Sequence, residues 1–244
     1  MLIQMNSYQN KNKKISINNV SKSYDGTKIL DNISMDVYEG EFVSILGPSG
    51  CGKSTLFNLI CNLTKIDNGD INVNGKISYM YQKDLLLPYK TIIDNVALPL
   101  ILNKKSKKEA RRMVNPYLEI FGLSGYENKY PNELSGGMKQ RANFLRTYIN
   151  SDDIMLLDEP FGALDSITKL SMQRWLLEVK SKVNSTIILI THDIDEAIML
   201  SNRIYVISQK PASVKKEFVV NKTDNNDKKM EQVIKLKSEI LSLL

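Results

Sequence analysis

Phe42-Val43-Ser44-Ile45-Leu46-Gly47-Pro48-Ser49-Gly50-Cys51-Gly52-Lys53-Ser54-Thr55-Leu56-Phe57-Asn58-Leu59-Ile60 is the stretch that decides the fold. Its first five residues form an apolar run with strand character, and the residues from Thr55 onward continue as a helix. Between them, Gly47 to Thr55 fit the spacing G-x-x-x-x-G-K-[ST], with a further glycine at position 50. The glycines let the backbone wrap closely and turn successive N–H groups toward phosphate oxygens at the positive end of a helix. Gly47, Pro48, Ser49, Gly50, Cys51, Gly52, Lys53, Ser54 and Thr55 are therefore candidate contacts to a nucleotide. In such a cradle the ammonium of Lys53 neutralises the β- and γ-phosphates, and the Ser54 hydroxyl is offered to Mg²⁺. A glycine-rich turn that happens to hold a lysine would lack the flanking strand and helix. The stretch predicts an α/β nucleotide-binding core.

Such a core needs a second carboxylate site, and Ile154-Met155-Leu156-Leu157-Asp158-Glu159-Pro160 supplies it. Four apolar residues read as a buried strand with two acids at its carboxyl end, the end at which open α/β sheets place their ligands. Asp158 is the candidate metal anchor and Glu159 the candidate general base that polarises the attacking water. Alone, the pair would read as a solvated acidic turn. The chain's single histidine, His192, ends another apolar run, Thr186-Ile187-Ile188-Leu189-Ile190-Thr191, and emerges at the same kind of strand end. A lone histidine is more often structural than catalytic, so its role rests on context.

That context comes from Leu134-Ser135-Gly136-Gly137-Met138-Lys139-Gln140-Arg141. With the phosphate loop, this octet resembles the ATP-binding cassette, the motor subunit of ABC transporters, over about residues 15 to 210. The resemblance implies a P-loop NTPase fold, a mixed β-sheet core with an inserted α-helical subdomain, using ATP and Mg²⁺. It implies that Tyr24 stacks on adenine, that Gln82 is the Q-loop glutamine reaching metal and water, and that His192, in Thr191-His192-Asp193, is the switch histidine on the γ-phosphate. Ser135, which reads as a helix N-cap, would join Gly136 and Gly137 in binding the γ-phosphate held by a second subunit. Asp165, in Gly162-Ala163-Leu164-Asp165, would bridge the two subunits. One phosphate loop and one signature in a chain imply a head-to-tail dimer, in the simplest case a homodimer.

Segments between the motifs narrow the branch. Asp84 to Thr91 and Asp94 to Leu100 lie where the family receives the membrane subunit's coupling helix, although a loop packed on the helical lobe is an equal reading from physics. Their wording, with Met172-Gln173-Arg174-Trp175 and Thr191 to Ala197, resembles the nitrate, sulfonate and taurine importers, whose relatives also serve thiamine precursors. Ala142 to Tyr148 departs from the small-residue run usual after the signature. The expected partners are a second ATP-binding subunit, transmembrane permease subunits and, indirectly, a solute-binding protein, with no nucleic acid. The alternatives are a lipoprotein-release or exporter ATPase, which would have a permease with a large extracytoplasmic domain, and a soluble non-transport ABC protein.

Composition agrees without discriminating. The 244 residues are 42% hydrophobic and 25% charged, ordinary for a soluble globular chain. No apolar stretch approaches the ~20 residues that span a bilayer. Residues 1–14, rich in Asn and Lys, read as a disordered extension, with Met5 an alternative start; the expected location is cytoplasmic, peripheral on the inner face of the cell membrane. The ATP-binding domain is expected over 15–220, with its helical subdomain at about 85–150. The polar tail 221–244 is expected to carry a short closing helix packed through Ile234, Ile240, Leu241 and Leu244. Asp25-Gly26, Asn68-Gly69 and Asn74-Gly75 read as turns. The net charge of +6 gathers at Lys104, Lys105, Lys107, Lys108, Arg111 and Arg112, read as a solvated helix face. Cys51 and Cys61 match no metal spacing and read as reduced thiols, with Cys51 expected to be reactive at a helix N-terminus.

Overall fold

The computed structural model describes residues 12–220 and 226–244. In chain order the elements are β1 (Lys13–Tyr24), β2 (Thr27–Tyr38), β3 (Phe42–Leu46), α1 (Lys53–Ile60), β4 (Asn68–Val73) and β5 (Ile77–Met80). There follow α2 (Ile92–Val96), α3 (Leu98–Leu102), α4 (Lys107–Ile120), α5 (Gly136–Asn150), β6 (Ile154–Asp158) and α6 (Ser166–Lys182). The chain ends with β7 (Thr186–Thr191), α7 (Ile194–Leu200), β8 (Arg203–Ile207), β9 (Val214–Val219) and α8 (Asn226–Leu241). Contacts divide it into two units, one of residues up to Lys76 with Thr186–Leu244, the other Ile77–Ser185. No helix among the described residues is long and apolar enough to cross a membrane.

In the first unit β1 and β2 form a hairpin through Asp25 and Gly26, at φ 48° and 77°, and β4 joins β1 antiparallel. Two consecutive positive φ angles match the right-handed twist of the flanking strands, which is why Asp-Gly closes this turn. Asn68-Gly69, expected as a turn, instead lies inside β4, with Asn68 paired to Ser21. Gly69 has the turn-like φ of 92°, and a Cβ there would sit 2.5 Å from the carbonyl oxygens of Asn18 and Asn19. The glycine serves a close approach at a register shift rather than a chain reversal.

Also in this unit, β3 lies between β7 and β8, parallel to both, and β9 closes the edge antiparallel to β8. All residues of β3, β7 and β8 are buried, which explains their unbroken apolar reading. Beneath β3 and β8, Arg203 is buried with Glu41 at 3.1 Å, and it also pairs with Glu217 at 2.9 Å. Lys13 and Lys14 open β1, so the expected extension shortens; its residues 1–11 lie outside the described residues.

The second unit holds the parallel pair β5–β6 and the helices α2 to α6. Phe121, Phe144, Phe161 and Trp175 form its aromatic centre, with Phe144 5.4 Å from Trp175 and 6.0 Å from Phe161. The bulky departure after the signature thus fills a core. Lys107 and Arg111 on α4 bind Asp94 on α2 at 2.9 and 2.8 Å, and Lys105 pairs with Glu109. Lys104 and Lys105 thus lie in the turn before α4, and only Lys107, Lys108, Arg111 and Arg112 stand on the helix itself. Asp94 is 8% exposed, and its guanidinium and ammonium neighbours hold its carboxyl down at about 2 despite that burial.

The tail carries α8, longer than expected, and its packing face differs from the one expected. Ile240 is fully buried and Val233, Leu236 and Leu243 pack beside it, whereas Ile234 and Leu241 are exposed. Positions 233, 236, 240 and 243 keep the helical spacing that a single apolar stripe requires.

Candidate functional site

In the first unit, register brings two predicted groups together. Leu46 at the end of β3 pairs with Thr191 at the end of β7. The phosphate loop therefore leaves at Gly47 beside the point where His192 leaves the neighbouring strand. Gly47 is held tightly, since a Cβ there would meet Ile207 Cγ1 at 2.6 Å. Gly52 is at φ 120°, and its Cβ would meet Ile29 and Leu30 side chains at 2.9 Å. Gly50, at φ 73°, needs glycine for its backbone alone. Lys53 is 5% exposed and donates from Nζ to the carbonyls of Gly47 and Pro48, both at 2.8 Å. Its ammonium thus lies in the bowl of the loop. Ser54 is exposed on the first turn of α1.

Gly52, with no side chain, is the N-cap of α1, and no side chain accepts from the helix's first N–H groups. Those donors are directed at the loop, as an anion site requires. Cys51 departs from expectation: it is 3% exposed, its Sγ lies 3.4 Å from where a Gly47 Cβ would stand, and burial pushes its thiol up rather than down. Cys61 is pushed up to about 11 for the same reason, and both are free cysteines. Desolvation outweighs Lys53 and the neighbouring backbone N–H groups, so the thiolate of Cys51 is disfavoured rather than favoured. Tyr24 stands at the hairpin tip, 41% exposed, with the Lys22 ammonium 5.1 Å from its ring centre. His192 is exposed, and the chain turns directly after it: Asp193 donates its N–H to Thr191 Oγ1 and accepts from Glu196 N–H as the cap of α7.

The second unit gathers the remaining acids. Asp158 ends β6, 7% exposed, and the Tyr79 hydroxyl donates to its Oδ2 at 3.0 Å. Tyr79 is stacked on Tyr81 at 4.1 Å. Sequence reasoning did not single out Tyr79; its signal is a phenol in an apolar strand running parallel beside β6, with Tyr79 paired to Leu156. Glu159 follows at φ 44°, a left-handed conformation that strains a residue with a Cβ by roughly 1–3 kcal/mol. Its carbonyl accepts from Gly162 N–H at 3.1 Å. A methyl on Gly162 would lie 3.8 Å from Glu159 Oε2 and 3.9 Å from Gln82 Nε2. Gln82 and Glu159 thus both border Gly162.

Ser135 is the cap expected of it, its Oγ accepting from Met138 N–H at 3.3 Å. Gly136 and Gly137 open α5, and a Cβ on Gly137 would stand 3.3 Å from Thr168 Cγ2 on α6. These glycines therefore also let two helices approach. Asp165 caps α6, accepting from Ile167 and Thr168 N–H groups, and the Thr168 hydroxyl, with these N–H groups, holds its carboxyl below the usual range.

The segment from Asp84 to Leu100 is tied to the helices beneath it, as the reading of a packed loop expects. The buried Asn95 side chain accepts from Leu87 N–H and donates to the carbonyls of Leu87, Lys90 and Thr91. Arg146 donates to the carbonyls of Asp84 and Leu85. Leu86 is packed inside, while Leu85 and Tyr89 are 53% and 72% exposed. The loop is thus tied from beneath and exposes the Leu85 and Tyr89 side chains.

A glycine loop between a buried parallel strand and an uncapped helix, with a lysine in its bowl, defines a phosphate-loop nucleotide-binding protein. The family model described as "ABC transporter" matches residues 30–162. The formylaminopyrimidine import ATP-binding protein ThiZ of Halalkalibacterium halodurans is 44% identical over 94% of this chain and 96% of its own. The aliphatic sulfonates import ATP-binding protein SsuB of Bacillus thuringiensis subsp. konkukian is 38% identical over 93% and 94%. Among solved structures, the dimeric ABC transporter cassette MJ0796 superposes with a TM-score of 0.72 at 33% identity, covering 86% of this chain and 100% of that one. The chain belongs to the ABC transporter family, as an ATP-binding ATPase subunit.

Proposed function

We propose that this ATPase is the motor subunit of a membrane importer for a small solute of the sulfonate, nitrate, taurine or thiamine-precursor type. The observation that carries the ATPase chemistry is the pairing of Leu46 with Thr191, which sets the phosphate loop and His192 side by side. Near full-length similarity to two import ATP-binding proteins supports the importer branch.

Each residue's role follows from its surroundings. Tyr24 offers an exposed ring on which adenine stacks. The N–H groups that open α1 without a side-chain cap bind phosphate oxygens, and Lys53 exchanges its carbonyl partners Gly47 and Pro48 for the β- and γ-phosphates. Ser54 in the first unit offers a hydroxyl, and Gln82 and Asp158 in the second offer an amide oxygen and a carboxylate, each a hard oxygen donor of the kind that suits Mg²⁺. Mg²⁺ held by such donors would neutralise charge developing on the phosphate oxygens. Tyr79 orients the Asp158 carboxylate by its hydrogen bond. Glu159 takes the proton of the attacking water, Gln82 holds that water, and His192 contacts the γ-phosphate.

Ser135, Gly136 and Gly137 present the start of α5 to the nucleotide of a second copy, and Asp165 lies at the same dimer interface. ATP binding closes the dimer and hydrolysis releases it, a cycle transmitted to permease subunits through the exposed Leu85 and Tyr89 surface. The subunit is accordingly peripheral on the cytoplasmic face of the membrane.

Tagged Glu159→Gln protein purified from its own membranes with ATP and Mg²⁺ tests this reading. A polytopic permease with a solute-binding protein is the expected company. Ribosomes, nucleic acid or soluble proteins alone would leave the ATPase standing and overturn its assignment to import.

A further inference from the structure

His192 is the only histidine of the chain, and α7, which begins two residues after it, packs against α8. Directly after His192, Asp193 caps α7 and donates its N–H to Thr191 Oγ1, so the chain at His192 is held between the end of β7 and the start of α7. α8 grips α7 twice. Ile240, fully buried, shares a cluster with Ala197 and Ile198, and Ile194 packs against the same cluster. Lys237 Nζ donates to both carboxylate oxygens of Asp195, each at 2.7 Å. The cluster also contains Leu46, the residue before the phosphate loop. α8 has a second attachment, Lys216 to Glu239 at 3.1 Å, which joins it to β9 rather than to α7.

We propose that α8 is a strut that sets the position of His192, with Ile240 and Lys237 as positioning residues acting through α7. The proposal rests on the role given to His192 above. Ile240 supplies the grip, because a buried aliphatic side chain contributes far more than an exposed ion pair. Lys237 fixes the rotation of α7 about its axis by holding its first turn at Asp195. A helix attached after the last strand thereby takes part in catalysis while touching neither nucleotide nor water.

The test uses the full chain, whose one imidazole gives a single Cε1–H signal by NMR. Ile240→Asp is expected to displace that signal and to lower kcat roughly tenfold, with the KM for ATP within about twofold of wild type. In a His192→Ala background, Ile240→Asp is expected to cause no further loss of kcat. Should Ile240→Asp fail to melt cooperatively, Lys237→Glu serves, since its side chain is exposed. That change is expected to displace the signal and lower kcat about twofold, with recovery on adding Asp195→Lys. An unmoved imidazole signal in both variants overturns the proposal, as does an equal loss of kcat with and without His192. A displaced signal with unchanged kcat also overturns it, and locates the fault in the role assigned to His192 rather than in the strut.

Discussion

α1 and α5 begin in opposite ways, and under the proposed function the contrast separates two kinds of phosphate contact. α1 starts from Gly52, which has no side chain to accept from the helix N–H groups. α5 starts from Ser135, whose Oγ accepts from Met138. The helices α4, α6 and α7 resemble α5, with Ser106, Asp165 and Asp193 as caps. An uncapped helix of eight residues gives up about 1 kcal/mol that a Ser or Asp would return. At α1 that stability is exchanged for donors directed at a ligand within the same chain. At α5 the cap satisfies the first turn from within the chain, and Gly137 lets that turn lie close to Thr168 of α6.

The contrast orders the consequences of mutation. Lys53→Ala removes two charge-assisted hydrogen bonds from the bowl of the loop. We expect a loss of roughly 3 kcal/mol in ATP affinity, about 100-fold by titration calorimetry. Retained tight binding would break the assignment of α1 as the phosphate helix. Gly52→Ala forces a Cβ into Ile29 and Leu30 at an unfavourable φ, and a destabilisation of about 1–3 kcal/mol should appear in urea unfolding alongside weakened ATP binding.

Ser135→Ala should behave differently. It costs about 1 kcal/mol in helix stability, lowers turnover and leaves ATP binding to the single chain unchanged. If it weakened that binding as strongly as Lys53→Ala does, the two helix starts would not have separate roles.

Asp94 sharpens the comparison from outside the site. Its carboxyl is held at about 2, so its contribution is fully present above the ordinary value of 3.8 and is lost as pH falls through about 2. Asp94→Asn should lower the urea midpoint by the equivalent of roughly 1–2 kcal/mol at pH 7. The variant's deficit should shrink between pH 4 and pH 2. The smallest effect belongs to Cys51. Alkylation by a maleimide at pH 7 should be slower than for a free cysteine, because burial both shields the sulfur and raises its pKa.

Much of this arrangement was legible in sequence. The strand–loop–helix at 42–60, the acids after Leu157 and the cap at Ser135 are local patterns, each set by residues within a few positions of one another. What escaped reading depends on distant partners. Asn68-Gly69 carries turn chemistry, but pairing with Ser21 makes it part of a strand. Cys51 stands at a helix start, yet packing under Gly47 decides its ionisation. Tyr79 gains meaning only because β5 lies parallel to β6 and its hydroxyl reaches Asp158. Ile234 and Ile240 are equally apolar in sequence, and only contact with Ala197 and Ile198 distinguishes the buried one.

The central claim is that α1 and α5 supply two halves of a nucleotide site that two copies complete. Light scattering of Glu159→Gln with saturating ATP and Mg²⁺ tests it most directly. The account predicts a doubling of mass that requires ATP and is abolished by adding Ser135→Arg, which projects a bulky cation from the α5 start. A protein that binds ATP tightly yet keeps the mass of one chain would contradict it.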